Sequence, residues 1–225
     1  DENNPIYLRG TINIVISNQQ SWTFTGKYIT GNIETLLDYQ TVASGQHPTM
    51  NGYCYDSMFA GCTSLVTAPK LSAITLNYRC YYDMFSGCTS LTTLPELPAT
   101  TLANNCYSRM FYGCTSLKLS ATQTGDYQYP YRIPTSGTGT DASSTLTGMF
   151  TNTGGTFTGT PTINTTYYTD HEPIPSDISS VDPNELCIKI NNSEKRINLD
   201  EDVANKLNKY ASGSSDWDST PTQNS

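Results

Sequence analysis

The apolar positions of this chain recur with a period of 26 residues. Cys54, Cys80 and Cys106 are 26 apart, as are Met58, Met84 and Met110, Phe59, Phe85 and Phe111, Cys62, Cys88 and Cys114, and Leu65, Leu91 and Leu117. The shared string is Cys-Tyr-x-x-Met-Phe-x-Gly-Cys-Thr-Ser-Leu, running from Cys54 to Leu65, Cys80 to Leu91 and Cys106 to Leu117. A period of this size gives one supersecondary unit per copy, and stacking the copies buries a continuous core. Inside a copy, Leu102, Cys106 and Met110 stand at i, i+4 and i+8 with Phe111 beside them, which predicts a short helix ended by Gly113. The next stretch, Leu91-Thr92-Thr93-Leu94-Pro95-Glu96-Leu97-Pro98, is too rich in proline for a helix interior and predicts a short extended segment and turn.

After the third copy the register breaks. Met110 to Met149 is 39 residues, one period plus 13, and the excess falls in Thr122 to Ser144, a Gly, Thr, Ser and Pro stretch that reads as an inserted loop. A worn fourth copy keeps Met149-Phe150 and loses both cysteines, as a terminal capping repeat does. Residues 170–185, with Pro173, Pro175 and Pro183, read as a linker. Leu186 to Ile190 then predicts a strand, Asn191-Asn192-Ser193 a turn, Arg196 to Leu199 a return strand, and Asp200 the cap of a helix bearing Val203, Leu207 and Tyr210. The expected organisation is a capping region over 1–48, repeats over 49–169 with the loop 122–144 inserted, the linker, a ββα unit over 186–211 and a polar tail over 212–225. Two strands and a helix are marginal alone, so that unit is expected to pack on the repeats, on a second copy, or in a larger assembly.

One strand and one helix in 26 residues is the size of a leucine-rich repeat. The string Met-Phe-x-Gly-Cys-Thr-Ser-Leu followed by Leu-Pro-x-Leu-Pro resembles the BspA-like leucine-rich repeats of bacterial surface proteins. Its Cys-Tyr form is similar to repeats of gut Bacteroides proteins and their phages. The resemblance extends upstream to Tyr7-Leu8-Arg9-Gly10, Phe24-Thr25-Gly26-Lys27 and Gly31 to Asp38, and covers roughly residues 7 to 161. It implies an α/β repeat, a short leucine-rich-repeat solenoid with parallel strands and short helices behind an N-terminal β cap. It also implies a non-enzymatic binding or adhesion protein on a bacterial surface that recognises a protein or glycan. The alternative is a structural or receptor-binding component of a phage particle, a capsid decoration or a tail or fibre protein.

Composition narrows the function classes. Charged residues make up 14% of the chain, against about 25% in typical globular proteins. A net charge of −8 with twelve scattered basic residues excludes nucleic acid as a partner, since phosphate binding needs clustered Lys and Arg. There is no run of about 18 apolar residues to span a membrane. The start Asp1-Glu2-Asn3-Asn4 carries no basic and apolar leader and reads as a processed or trimmed end. The expected location is extracellular or at the cell surface, with a virion as the alternative.

No catalytic, cofactor-binding or metal-binding residue is expected. His47 and His171 are the only histidines and sit beside prolines or Glu-Pro. No motif pairs a nucleophile with a base or cradles a phosphate. Gly137-Thr138-Gly139-Thr140-Asp141-Ala142 imitates a dinucleotide fingerprint, but follows no strand and reads as a loop. The repeat cysteines lack zinc spacing and are expected as buried, reduced thiols.

The Met and Phe columns are read as core. The candidate ligand-binding residues are the Tyr column Tyr55, Tyr81 and Tyr107, with Tyr53, Tyr82 and Tyr112 near it, and the insertion's Tyr127, Tyr129 and Tyr131. Tyrosine offers a rigid apolar face and a polar tip, the composition of many recognition surfaces. The competing reading is that these rings only cover the outer side of the predicted helices. Lys70 and Glu96, also 26 apart, are expected to face each other on adjacent strands.

Overall fold

The computed structural model describes residues 27–134 and 144–176, and the backbone of two further strands. The chain divides into two compact units, Asp1–Ile178 and Ser179–Ser225. The upstream cap segments Tyr7 to Gly10 and Phe24 to Gly26, the Gly137 to Ala142 loop, the Asp200 helix and the polar tail lie outside the described residues.

The segment predicted as a helix in each copy is instead a ribbon of tight turns with a period of four. Tyr53, Ser57 and Gly61 adopt positive φ values of 64°, 57° and 76°, and Arg79, Asp83 and Gly87, then Asn105, Arg109 and Gly113, repeat this in the next two copies. Even-numbered residues of the first copy close local turns: the N–H groups of Asp56, Met58, Ala60 and Cys62 donate to the carbonyls three residues earlier at 3.1 to 3.3 Å. The odd-numbered N–H groups leave the copy. Tyr53, Tyr55, Ser57, Phe59 and Gly61 donate to the carbonyls of Tyr78, Cys80, Tyr82, Met84 and Ser86 at 2.7 to 2.9 Å. A helix would need every N–H for its own i−4 carbonyl, so bonding between copies and a left-handed residue at each fourth position exclude it. The spacing of Leu102, Cys106 and Met110 predicts one helical stripe, but it marks inward positions of successive turns instead.

The same bonds line up peptide groups through the stack. The Cys80 carbonyl accepts from Tyr55, and the N–H of the same peptide, from Tyr81, donates to Cys106 at 2.9 Å; Tyr107 continues the line to Thr145 at 3.1 Å. Side chains follow the backbone. The rings of Tyr55, Tyr81 and Tyr107 stack at 5.6 and 5.8 Å, and those of Phe59, Phe85, Phe111 and Phe150 at 5.6, 5.7 and 5.4 Å. Phe150 places the worn fourth copy in the phenylalanine column. Met58, Met84, Met110 and Met149, with Leu65, Leu91 and Leu117, are buried beside these columns.

Elsewhere in each copy the chain is extended, and the copies touch through isolated parallel bridges, Thr67 to Thr93 and Thr75 to Thr101, rather than continuous strands. Pro69, Pro95 and Pro98 cannot donate to a ladder there. The described part of the cap is also less β than expected. Tyr28 and Asn32 bridge in parallel to Thr67 and Lys70. A 3₁₀ turn, Ile33–Leu36, and helix α1, Tyr39–Ala43, follow, each with a side-chain cap, from Asn32 and Asp38.

Four strands form a mixed sheet beyond the third copy: β1 (Lys118–Ser120), β2 (Tyr129–Arg132), β3 (Gly154–Gly155) and β4 (Thr166–Thr169), in the order β2-β4-β1-β3. β1 runs parallel to β3, and β4 lies antiparallel to β1 and β2. The insertion is therefore not simply a loop, because β2 belongs to it and Pro130 is tolerated on the edge strand. The predicted linker is likewise partly docked. Ile174 bridges Pro95, and the Glu96 carboxylate accepts from the N–H and hydroxyl of Ser176, both at 2.8 Å. One Glu96 oxygen is thus engaged by Ser176, and the Thr67–Thr93 bridge keeps the 26-residue register between adjacent copies. In the second unit β5 (Glu185–Ile190) and β6 (Ser193–Asn198) pair antiparallel, with Glu185 opposite Asn198 and Ile190 opposite Ser193.

Candidate recognition site

The turn ribbon decides which side chains reach solvent. In its four-residue period, two neighbouring positions point inward and the other two, including the left-handed one, point outward. Tyr55, Tyr81 and Tyr107 occupy inward positions and are buried, so the column expected to bind a ligand is core. The Tyr55 hydroxyl donates to the Ile33 carbonyl at 3.0 Å. Burial pushes the phenols of all three well above their ordinary titration range. Tyr131 is also buried, with its hydroxyl on the Pro95 carbonyl at 3.0 Å and its ring edge against Phe150. Of the six candidates, Tyr129 is exposed and Tyr127 half-buried. Four of the six leave the list: Tyr55, Tyr81 and Tyr107 because a tyrosine at an inward position of the ribbon packs in the stack, and Tyr131 because the inner face of β2 buries it.

The outward positions carry a different set. Tyr53 and Tyr78 meet edge to face at 5.1 Å and are 40% and 38% exposed. The Arg79 guanidinium lies 3.8 Å from the Tyr82 ring centroid and 5.4 Å from that of Tyr53, with Nε 3.2 Å from Asp56 Oδ2. One copy further on, Arg109 lies 4.3 Å from the Tyr112 centroid and donates through Nε to both Asp83 oxygens, at 3.0 and 3.2 Å. The ion pair and burial of Asp56 act in opposite senses, and burial, the larger influence, raises its pKa. The two arginines thus clamp aromatic rings while pairing with the preceding copy's aspartate. Each arginine sits at a left-handed position, and the guanidinium stacked on a ring holds it there. Sequence reading named Tyr53, Tyr82 and Tyr112 but not Tyr78, Arg79 or Arg109. The available signal was Tyr78-Arg79 and Ser108-Arg109, one turn before an aromatic at i+3, in copies otherwise poor in charge.

Among the described residues, no group of three His, Cys, Asp or Glu side chains could hold a metal ion, and no helix is long and apolar enough to cross a membrane. The six repeat cysteines are free and buried. Desolvation pushes the thiols of Cys54, Cys88 and Cys106 up to about 11, 12 and 12, so none is a nucleophile near neutrality. Histidine also has a structural place: His47 Nδ1 is 2.9 Å from the buried Glu34 carboxylate. No protein-family model, curated protein or solved structure matches the chain.

Proposed function

We propose that this chain is a non-enzymatic binding or adhesion protein displayed on a bacterial surface, using its stacked copies as a leucine-rich-repeat solenoid scaffold for protein or glycan recognition. One observation carries the reading. On a scaffold that buries most of its repeat aromatics, Tyr53 and Tyr78 stand exposed in contact with each other, beside Arg79 and Tyr82. Tyrosine and arginine dominate recognition hot spots because they combine large rigid contact area with directional donors. Here their backbone is fixed by bonds between copies, so the rings lose little freedom on binding.

The test is binding of the full chain to arrayed host and bacterial surface proteins and glycans, repeated with Tyr53→Ala/Tyr78→Ala. Loss of about 2 kcal/mol or more of binding energy is the hot-spot expectation; binding that ignores both changes removes this face from the reading. Antibody labelling of native material addresses location. Label on the cell envelope supports the proposal, and label on virions moves the chain to the phage particle.

A further inference from the structure

The insertion builds a second, separate feature. Thr124 and Tyr127 exchange backbone bonds, each N–H donating to the other's carbonyl at 3.2 Å, which closes a tight turn with Gly125-Asp126 at its tip. Gln128 Nε2 donates to the Gly125 carbonyl at 2.6 Å and Gln123 Nε2 to the Gln128 carbonyl at 3.2 Å. The turn is thus stitched by its own side chains. It overhangs a cleft of about 520 Å³ lined by Lys118, Asp126, Tyr127, Gly155, Thr156 and Asp170.

The lining groups restrict what can enter. Lys118 Nζ is 3.3 Å from Asp170 Oδ2, so an ammonium already occupies the place a metal cation would take beside that carboxylate. Asp170 Oδ1 is sealed from solvent and sits 2.9 Å from His171 Nδ1 without hydrogen-bond alignment, leaving acceptor capacity unused. Asp126 has no partner among the described residues. With two carboxylates and one ammonium, the cleft disfavours phosphates, sulfates and acidic sugars. A neutral ligand rich in hydroxyls suits the rest of the lining, in which Asp126 is an acceptor, Lys118 and Thr156 are donors and Tyr127 adds an aromatic ring.

We infer that this cleft is a saccharide subsite that takes a neutral pyranose at the end of a glycan. The inference rests on the recognition reading above and names its ligand class at a place other than the Tyr53–Tyr78 face. The Asp126 carboxylate accepts from ring hydroxyls, Lys118, oriented by its pair with Asp170, and the Thr156 hydroxyl donate to sugar oxygens, and the Tyr127 ring packs against the sugar's C–H side. Gly155 lines the cleft where β3 pairs with β1. Its φ is +86°, and a Cβ there would lie 2.4 Å from the Leu119 carbonyl oxygen.

The experiment is saturation-transfer NMR on the full chain with glucose, galactose, mannose, N-acetylglucosamine, lactose and N-acetylneuraminic acid as probes. The expected result is binding of at least one neutral probe with Kd of about 1 mM or tighter. Asp126→Asn and Tyr127→Ala should each weaken it by about tenfold, or roughly 1.4 kcal/mol. Both substitutions are on an exposed turn, and an unaltered denaturation midpoint confirms that the fold survives. No neutral-sugar binding, preference for N-acetylneuraminic acid, or indifference to both substitutions overturns the inference. If sugar binding falls only in Tyr53→Ala/Tyr78→Ala, the cleft is wrong and the recognition reading stands; if neither sugar nor array binding is found, both fall.

Discussion

The thiol of Cys114 donates to the carbonyl of Phe85 at 3.0 Å, across the boundary between two copies, and Cys88 repeats the contact to Phe59 at 3.1 Å. Phe85 and Phe59 each already accept a turn-closing N–H from Cys88 and Cys62, so the sulfur supplies the carbonyl's second bond. Small, apolar and a weak donor, cysteine suits a corner that must pack tightly and still satisfy a buried oxygen. The sequence poses a choice between a disulfide within each copy and free thiols, and geometry decides for thiols with a structural task.

These thiols are expected to be chemically silent. All six repeat cysteines are buried, and desolvation raises the thiol pKa of Cys54, Cys80, Cys88, Cys106 and Cys114, so in a Cys187→Ser variant the six should not react with a thiol reagent at pH 8 in the native state, and all six should react in denaturant. Rapid native labelling of any of them would show that the stack opens there. Cys114→Ala, which removes both the packing and the second bond to Phe85, should lower stability by about 1–2 kcal/mol in urea titration.

Tyr129 and Tyr131 separate the insertion's surface from its core. Tyr131 is buried against Phe150 and bonded to Pro95, so Tyr131→Ala should destabilise by about 3–5 kcal/mol, the range for deleting a buried ring. Tyr129, 39% exposed two residues away, should tolerate Ala within about 0.5 kcal/mol. Equal effects of the two substitutions in thermal or urea unfolding would contradict the placement of β2.

Legibility followed the period of the pattern. The 26-residue columns of Met58, Phe59 and Leu65 were readable because identical side chains stacked on one another are a one-dimensional code. The helix was misread because i, i+4, i+8 fits a 3.6-residue period and a four-residue period almost equally over nine residues. What distinguishes them is the residue tolerated in left-handed backbone, and Gly61, Gly87 and Gly113 announced only one of the three left-handed corners per copy; Tyr53, Ser57, Arg79 and Asp83 gave no such signal. The Tyr column followed from that error, since a ring placed outside a helix lies inside a turn ribbon. β2 carried a short alternation, Pro130 and Arg132 exposed with Tyr131 and Ile133 buried, which the exposed Tyr129 and the surrounding Gly, Thr and Ser masked. Arg79 and Arg109 were invisible as a pair because their partners Asp56 and Asp83 lie in the preceding copy.

Glu34 gives the cap a pH signature. It is fully buried, and desolvation raises its pKa above 4.5 against the opposing pull of His47 and Asn32. A carboxyl whose folded pKa exceeds its unfolded value binds its proton more tightly when folded. Its contribution to stability is present in full below the unfolded pKa and declines as pH rises through the folded one. Glu34→Gln should therefore flatten the part of the stability-pH curve that falls with increasing pH above about 4.3. An identical falling slope in the variant, measured by urea midpoints at successive pH values, would assign that slope to another group.

Gly61 and Gly155 both adopt positive φ, 76° and 86°, and predict different penalties for the same change. At Gly61 nothing lies within 4 Å of the position a Cβ would take, so alanine meets only the backbone preference against left-handed conformation, about 1 kcal/mol. At Gly155 the added carbon would sit 2.4 Å from the Leu119 oxygen and 2.5 Å from its nitrogen. Those are backbone atoms of β1, paired in parallel with Gly155, so relief requires breaking that pairing. Gly155→Ala should lose about 3 kcal/mol or more, and it should also weaken sugar binding, because β1 carries Lys118 and Gly155 itself lines the cleft. Gly61→Ala should leave sugar binding untouched. Comparable unfolding midpoints for the two variants would mean that β1 and β3 are not in contact at this register.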